Sequence, residues 1–305
     1  IIPAGPLIRR EIVGTDGIIL RHPACKPSPI TYPNSRGDAA DLIVGGECSL
    51  YYYRYSGETT DIGHRSYHPP VPLLESGSAL YGGSLPVPNV VDWDGDGLPD
   101  IVAGNSEGRI LFFRNVGDPT EPSFLPGVPI EAGGEEICVQ PGYRDNVQGP
   151  GEARWGYTCP TVVDWNYDGL LDIVTGDSTG RHTVYINRGT PNQPMLDRGR
   201  PLYLDGLEMH GTWRVKPAAH DIESRMAYIT LDDDDELHLY WRIDDYNLRE
   251  GEKLRLDDGS AIKANFLEAG GTGRLKLNLV DWDGDGSLDL LIGTPRHASV
   301  PDPDN

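Results

Sequence analysis

The chain has 305 residues, 38% of them apolar, and sets 47 acidic against 26 basic residues for a formal net charge of −21. That length buries a proper core, as one large β domain or two small ones. The charge repels nucleic acid phosphates and anionic membrane surfaces, so neither is an expected partner. No run of 18 apolar residues occurs, and neither a transmembrane helix nor membrane insertion is expected. Short β-branched and aromatic runs lie between turn residues throughout, with glycine (38) and proline (26) frequent and long helical patterns missing, which reads as all-β.

The chain begins at Ile1 with neither Met nor signal peptide, as a mature or trimmed product would. Residues 1–23 hold two extended runs, "PLIRREIV" and "GIILRHP". "DLIVGGECSLYYYRYSG" (41–57) then reads as strand, turn and strand, and an insertion over 58–88 follows with His64, Tyr67 and His68. The stretch "VVDWDGDGLPD" (90–100) sets carboxylates at alternate positions, and "IVAGNSEGRILFFRNVG" (101–117) repeats the strand–turn–strand shape. A second insertion over 133–160 precedes "VVDWNYDGLLD" (162–172) and "IVTGDSTGRHTVYINRG" (173–189). After a third insertion over 206–219, "AYITLDDDDELHLYWRI" (227–243) keeps the shape without the acidic loop. The last copy, "LVDWDGDGSLD" (279–289), runs into "DLLIGT" (289–294) and breaks off.

The closing aspartate of each copy, or its counterpart, falls at 41, 100, 172, about 229 and 289. Such spacing suits four short strands plus loops, and repeated four-stranded units that cannot bury their faces alone build a β-propeller. The fold expected is therefore an all-β propeller of four-stranded blades, with about five units near 24–57, 86–130, 158–205, 215–257 and 275–305. Residues 1–23 either supply outer strands that close the last blade, or the chain is part of a larger, seven-bladed ring.

Four cysteines, Cys25, Cys48, Cys138 and Cys159, form no C-x-x-C pair, which disfavours zinc. Their even number favours two disulfides in an oxidising compartment, and so a secreted or cell-surface protein. Neighbour pairing, Cys25–Cys48 and Cys138–Cys159, is the choice adopted among three connectivities.

Like charges at alternate positions make sense around a cation. Hard oxygen ligands in this number suit Ca²⁺, which takes six to eight oxygens. The expected ligands are Asp92, Asp94, Asp96 and Asp100 with the carbonyl of Leu98. In the second loop they are Asp164, Asn166, Asp168 and Asp172 with the Leu170 carbonyl, and in the third Asp281, Asp283, Asp285 and Asp289 with the Ser287 carbonyl. An EF-hand needs a twelfth-position Glu and flanking helices, whereas these loops end at the ninth residue between strand-like runs. About three structural calcium ions follow.

At these residues the sequence resembles the FG-GAP/VCBS repeat family, which includes the integrin α-subunit propeller and several secreted bacterial proteins. "DWDGDGLPDIVAGNSEGRILFFRN" is similar to that family's blade, and the likeness runs over residues ~34–294, strongest in three units. The resemblance implies that each acidic loop joins the first two strands of a blade around a structural Ca²⁺. Seven blades are usual in that family, so five units depart from its pattern.

If calcium only staples blades, function lies on the opposite face, where the insertions gather. Counting back from the first Asp of each loop, or from Asp221, position seven holds Tyr157, Arg214 and Arg274, and position five holds Cys159, Lys216 and Lys276. These share strand parity and so one side. With Arg154, Trp155 and Trp213 they make a basic, aromatic cluster suited to carboxylate or sulfate and to sugar rings. The competing expectation is that the cations pair with acids across blades. Tyr157, His210, Arg214 and Arg274 are the catalytic candidates, with His220 as a further proton carrier. "GNSEG" (104–108) matches G-x-S-x-G but sits in a strand–strand turn, as does "GDSTG" (176–180), which excludes a serine nucleophile elbow.

Three functions compete. The first is a secreted, calcium-stabilised module binding an anionic polysaccharide or surface protein. The second is a polysaccharide lyase acting on uronate-containing glycans. The third is a structural subunit of an extracellular assembly, with self-association.

Overall fold

The computed structural model describes residues 7–8, 10–20, 28–33, 41–118, 121–145, 150–262 and 274–294. They form an all-β propeller of five blades. The first blade has strands Ser28–Tyr32, Asp41–Gly45, Leu50–Tyr53 and Val71–Pro72 in that order from the axis outward. The second runs Val87–Val91, Asp100–Gly104, Ile110–Phe113 and Val128–Pro129, and the third Cys159–Val163, Asp172–Gly176, His182–Tyr185 and Arg200–Pro201. The fourth has Ala218–Ile222, Arg225–Leu231, Leu237–Arg242 and Asn247–Lys253, extended outward by Tyr203–Leu204 and Leu207–Glu208. Of the fifth, Lys276–Val280 and Asp289–Gly293 are described. Pairing between the blade strands in sequence order is antiparallel throughout.

The five first strands neighbour one another in ring order, and the fifth lies beside the first, so the ring closes with five blades. The apolar clusters sit between blades. Ile30, Ile43, Ile101 and Phe113 join the first and second, and Val102, Ile110, Ile173 and Tyr185 join the second and third. Trp165, Val174, Tyr228 and Tyr240 join the third and fourth, and Ile229, Leu239, Leu277 and Leu279 the fourth and fifth. Leu42, Val44, Tyr53 and Leu291 join the fifth to the first. Each blade buries its two faces against two neighbours, which is why no blade is stable alone.

Of residues 1–23, expected to supply outer strands to the last blade, 1–6, 9 and 21–23 lie outside the described residues, and the rest lie elsewhere. Within residues 10–20, Val13–Gly14 pairs in parallel with Ser66–Tyr67, in a sheet completed by Tyr55–Thr59, and not with the second strand of the last blade. Ile12 and Leu20 instead cap the apolar seam between the last and first blades. The first unit also runs beyond 57, because Val71–Pro72 supplies its outer strand after that sheet interrupts it.

One carboxylate recurs at the head of the second strand of four blades, as Asp41, Asp100, Asp172 and Asp289, the first three buried and the last half-buried. Asp100 Oδ2 accepts the N–H of Trp93 (3.0 Å) and Oδ1 that of Asn115 (2.7 Å). Asp172 does the same with Trp165 (3.0 Å) and Asn187 (2.6 Å). Asp41 accepts the Tyr55 N–H and the Tyr52 hydroxyl, and Asp289 accepts the Trp282 N–H. The carboxylate thus ties the loop before its strand to the end of the third strand. Asn115 and Asn187 extend the tie: each donates to the carbonyl of the residue before the aspartate and accepts two backbone N–H groups beyond its own strand.

Glycine closes the same strands. A Cβ on Gly104 would fall inside the van der Waals shell of the Thr158 carbonyl oxygen, and one on Gly176 would meet that of Val215. The next blade approaches there with no room for a side chain. Asp172→Ala strands the buried N–H groups of Trp165 and Asn187 and should cost about 2–5 kcal/mol, since each such group costs about 1–3 kcal/mol. Gly104→Ala should destabilise as well, through steric overlap between blades. Denaturant midpoints of both variants against the parent chain check this.

Candidate functional site

The strand directions put the acidic loops on one face of the ring. The starts of the first strands and the turns after the second strands lie on the other, around the axis. The two faces have different chemistry.

On the loop face, carboxylate oxygens of Asp92, Asp94 and Asp100 lie within 4.8 Å of one another, as do those of Asp281, Asp283 and Asp285. Within each loop the first Asp accepts backbone N–H groups from the far side: Asp92 from Asp96 and Gly97, Asp164 from Asp168 and Gly169, Asp281 from Gly284 and Gly286. Asp96, Asp168 and Asp285 each accept the N–H two residues on, from Leu98, Leu170 and Ser287. Asn166 donates to Asp168 at 2.9 Å. Arg114 reaches the first loop, 2.7 Å from Asp94 and 3.2 Å from Asp96. Asp94 Oδ1 is buried with no partner. Burial, with Asp94 and Asp96 adding to it, pushes Asp100 up to about 6; burial does the same to Asp172, up to about 7, beside Asp168 and Asp164. A converging set of hard oxygens with one orphaned and others held against their charge fits a hard divalent cation. The closing aspartates have a duty that spacing did not reveal, since their oxygens hold backbone N–H groups.

The opposite face centres on four residues in the left-handed backbone region: Leu85 (φ 53°), Tyr157 (48°), Arg214 (59°) and Arg274 (71°). Each sits shortly before a first strand. Leu85, Tyr157 and Arg214 bind the preceding blade through their backbone N–H groups, Leu85 to Glu47 O (2.7 Å), Tyr157 to Ser106 O (3.2 Å) and Arg214 to Asp177 O (2.9 Å). Such conformations cost non-glycine residues about 1–3 kcal/mol each and persist where surroundings impose them.

These turns bring the basic and aromatic side chains together. The Arg214 guanidinium lies 3.0 Å from the Tyr157 ring centroid and 4.8 Å from that of Trp213; the Arg274 guanidinium lies 4.9 Å from the same Trp213 ring. Arg214 donates to Glu152 at 3.1 Å, and the Tyr157 hydroxyl donates to the same oxygen at 2.8 Å. The Trp155 ring, 38% exposed, stands 6.5 Å from Tyr157. Lys276 Nζ donates to Arg214 O (2.6 Å) and Arg274 O (3.3 Å), and Lys216 Nζ to Leu277 O (3.2 Å). Both lysines are buried, as is Arg214. Pairing with acids across blades therefore accounts for Arg214, through Glu152, and not for the lysines, which clip neighbouring blades through carbonyls. The Nε atoms of Arg214 and Arg274 are buried without an acceptor. Burial pushes Lys216 down to about 7, and lowers Lys276 and Arg214 too.

Other sequence-predicted residues lie apart. Arg154 is exposed beside the cluster. His210 is half exposed, 3.9 Å from Glu208. His220, in the first strand of the fourth blade, turns its Nδ1 to Asp221 O at 2.8 Å near the acidic-loop end, so it does not join the cluster. His64 and His68 are outside it as well, in and beside the Tyr55–Tyr67 hairpin. Ser106 and Ser178 are buried in strand–strand turns. Glu152, which spacing did not single out, is the acid that organises Tyr157 and Arg214; its one signal was a lone carboxylate in "GEARWGY".

The cysteine pairing is corrected. Cys138 is exposed where the chain runs beside Arg109, whereas Cys159 is buried at the start of a first strand and its Sγ donates to Tyr157 O at 3.3 Å; no disulfide joins the two. Cys48 is exposed and likewise outside any disulfide, and Cys25 lies outside the described residues. No described helix is long and apolar enough to cross a membrane.

No family model matches the chain, and no curated protein matches it. Among solved structures it is similar to a GH43 β-1,3-galactosidase solved with galactodeoxynojirimycin. That chain is 11% identical, with 94% of this chain and 90% of that one covered, at a TM-score of 0.49. It is similar also to an arginine-substituted mutant of AofleA from Arthrobotrys oligospora, 10% identical, covering 93% and 86%, at a TM-score of 0.45.

Lys216 ties pH to stability. Its ammonium is disfavoured in the fold, where the group titrates at about 7 against an unfolded value of 10.5. Between those values the unfolded chain holds the extra proton, so this group makes stability rise with pH above about 7 and costs most below it. Lys216→Met should be more stable than the parent at pH 6 by a few kcal/mol, since each tenfold change in proton affinity is worth about 1.36 kcal/mol. The difference should shrink as pH approaches 10. Urea denaturation at both pH values reads it.

Proposed function

We propose that this protein is a calcium-stabilised extracellular propeller whose axial mouth binds an anionic polysaccharide. The observation that carries the reading is Trp213, flanked by the guanidinium groups of Arg214 and Arg274, both with buried Nε atoms lacking acceptors. Buried N–H donors without partners cost about 1–3 kcal/mol each, which a carboxylate or sulfate oxygen would recover. The aromatic face offers a sugar ring its apolar side, and Trp155 adds a second surface nearby. Arg154, exposed next to Trp155 in the chain, adds positive charge to a face that stands apart from the acidic loops, while Lys216 and Lys276 lie buried beneath it and hold backbone carbonyls.

Binding is favoured over lyase chemistry by the state of Tyr157. Burial and its bond to Glu152 push that phenol up to about 12, so it holds its proton and orients Arg214 rather than abstracting one. His210, half exposed beside Glu208, has no contact with the cluster among the described residues. A surface protein as ligand, and self-assembly, draw no comparable support.

Calorimetric titration with polygalacturonate, alginate and sulfated glycans in calcium buffer tests the reading. Micromolar-range binding to at least one is expected, weakened at least tenfold by Trp213→Ala and by Arg274→Ala, and weakened further by added salt. No binding across the panel, or binding indifferent to both variants, would overturn it. An unchanged ultraviolet trace during incubation with the bound glycan separates binding from elimination.

The proposed calcium rests on the acidic loops. Chelation should lower the thermal midpoint, and Ca²⁺ should restore it in the parent chain. Asp94→Ala and Asp283→Ala should each blunt the response. A midpoint indifferent to chelator and Ca²⁺ would remove calcium from the account.

A further inference from the structure

The first and third acidic loops share the run "DWDGDG", but their carboxylates are arranged differently. In the third loop the oxygens of Asp281, Asp283 and Asp285 converge. In the first the converging set is Asp92, Asp94 and Asp100, without Asp96, the counterpart of Asp285. The difference lies at one oxygen. Asp96 and Asp285 each accept the N–H two residues on through Oδ1, at 3.0 and 2.7 Å. Asp96 Oδ2 then receives the Arg114 guanidinium at 3.2 Å, whereas Asp285 pairs with no basic side chain among the described residues. Arg114 Nε also lies 2.7 Å from Asp94 Oδ2, while Asp94 Oδ1 is buried without a partner. One side-chain cation thus bridges two of the carboxylates expected to hold the metal of this loop.

Arg114 ends the third strand of the second blade, just before Asn115, whose N–H is tied to Asp100. The matching residue of the third blade, before Asn187, is Ile186, buried in the seam with the fourth. Arg188, which follows Asn187, pairs with Asp197 (3.1 Å) and Asp245 (3.7 Å) and not with the second loop. The Arg114 side chain is 48% exposed, so water can take the guanidinium if it leaves. The loop has a second hold, because Asn192 of the third blade donates to Asp94 O (3.2 Å) and Gly95 O (3.1 Å). The fourth blade uses the same device where no metal is expected: Lys253 Nζ lies 3.0, 2.6 and 3.5 Å from Asp232, Asp234 and Glu236, again carboxylates at alternate positions.

We propose that Arg114 is an internal competitor for the cation of the first loop, so that this loop binds Ca²⁺ more weakly than the third. The proposal rests on the calcium reading of the acidic loops. Ca²⁺ and the guanidinium cannot both hold Asp94 and Asp96 without repelling each other, so binding includes breaking both ion pairs. The third loop fills first and acts as a standing staple. The first responds to the free Ca²⁺ level and passes it to the seam between the second and third blades, through Trp93 and Asn192.

The test follows hydrogen exchange of the chelator-stripped full chain by mass spectrometry as CaCl₂ is added, reading 92–100 and 281–289 separately. In the parent, the midpoint at 281–289 should fall at a Ca²⁺ concentration about tenfold below that at 92–100, as much as two partly exposed ion pairs allow. Arg114→Gln should lower the 92–100 midpoint by that factor and leave 281–289 where it was. Arg114→Lys, which keeps the charge, should stay near the parent at both. The 281–289 midpoint also reports that each variant is folded. A 92–100 midpoint unchanged or raised by Arg114→Gln, with 281–289 still responding, would overturn the proposal and leave calcium in place. No Ca²⁺ response at either loop in any of the three chains would remove calcium, and the proposal with it.

Discussion

The structure hangs on a carboxylate in the wrong place for its own comfort. Asp100 and Asp172 are fully buried at the heads of second strands, where burial alone opposes their charge. They are held there because each satisfies two backbone N–H groups that the bend of the loop and the end of the third strand would otherwise strand. The tie fixes the loop, and the loop sets Trp93 or Trp165 into the seam with a neighbouring blade. Trp165 extends that grip through Nε1 to Asp245 O on the fourth blade at 3.0 Å. Blade closure and blade-to-blade packing are thus one device, and Asp41 repeats it where the DxDxDG pattern is absent.

The same frame explains the mouth. Where a second strand ends in a glycine with no room beside it, as at Gly45, Gly104 and Gly176, the next blade begins tightly and its first turn takes the left-handed region, at Leu85, Tyr157 and Arg214; Arg274 adopts the same conformation after a second strand that ends in Leu231. Those turns aim inward whatever side chain they carry. The second blade puts leucine there, while the third, fourth and fifth put tyrosine and arginine. A scaffold constraint has become a means of converging aromatic and cationic groups on the axis. Net charge hides this: a chain at −21 keeps its acids in loops and rims while cations collect where five blades meet.

Much of this was legible in the sequence for a physical reason. Acidic loops of fixed length between apolar runs specify strand, loop and strand, and counting back from them by seven and five fell on the turn and first strand that form the mouth. Parity along a strand survives in the fold because pleating is local. What failed depended on burial or on distance along the chain. The spacing of Cys138 and Cys159 gave no sign that one is exposed and the other faces a lysine. His220 lies one residue from an acidic counterpart position, and so at the wrong end of its strand. The latch made by Asn115 and Asn187 was visible as a repeated "RN" and "NRG", but its role needs the neighbouring loop to be in place. The outer strand at Val71–Pro72 is two residues long and was hidden in an insertion.

The central claim is that ligand binding belongs to the axial mouth and not to the acidic-loop face. Hydrogen exchange measured by mass spectrometry, with and without saturating polygalacturonate in calcium buffer, addresses it directly. The account expects protection concentrated in 150–159, 212–216 and 274–277, with the loops at 92–100 and 164–172 unchanged. Protection confined to those acidic loops, with the mouth segments exchanging as before, would contradict it.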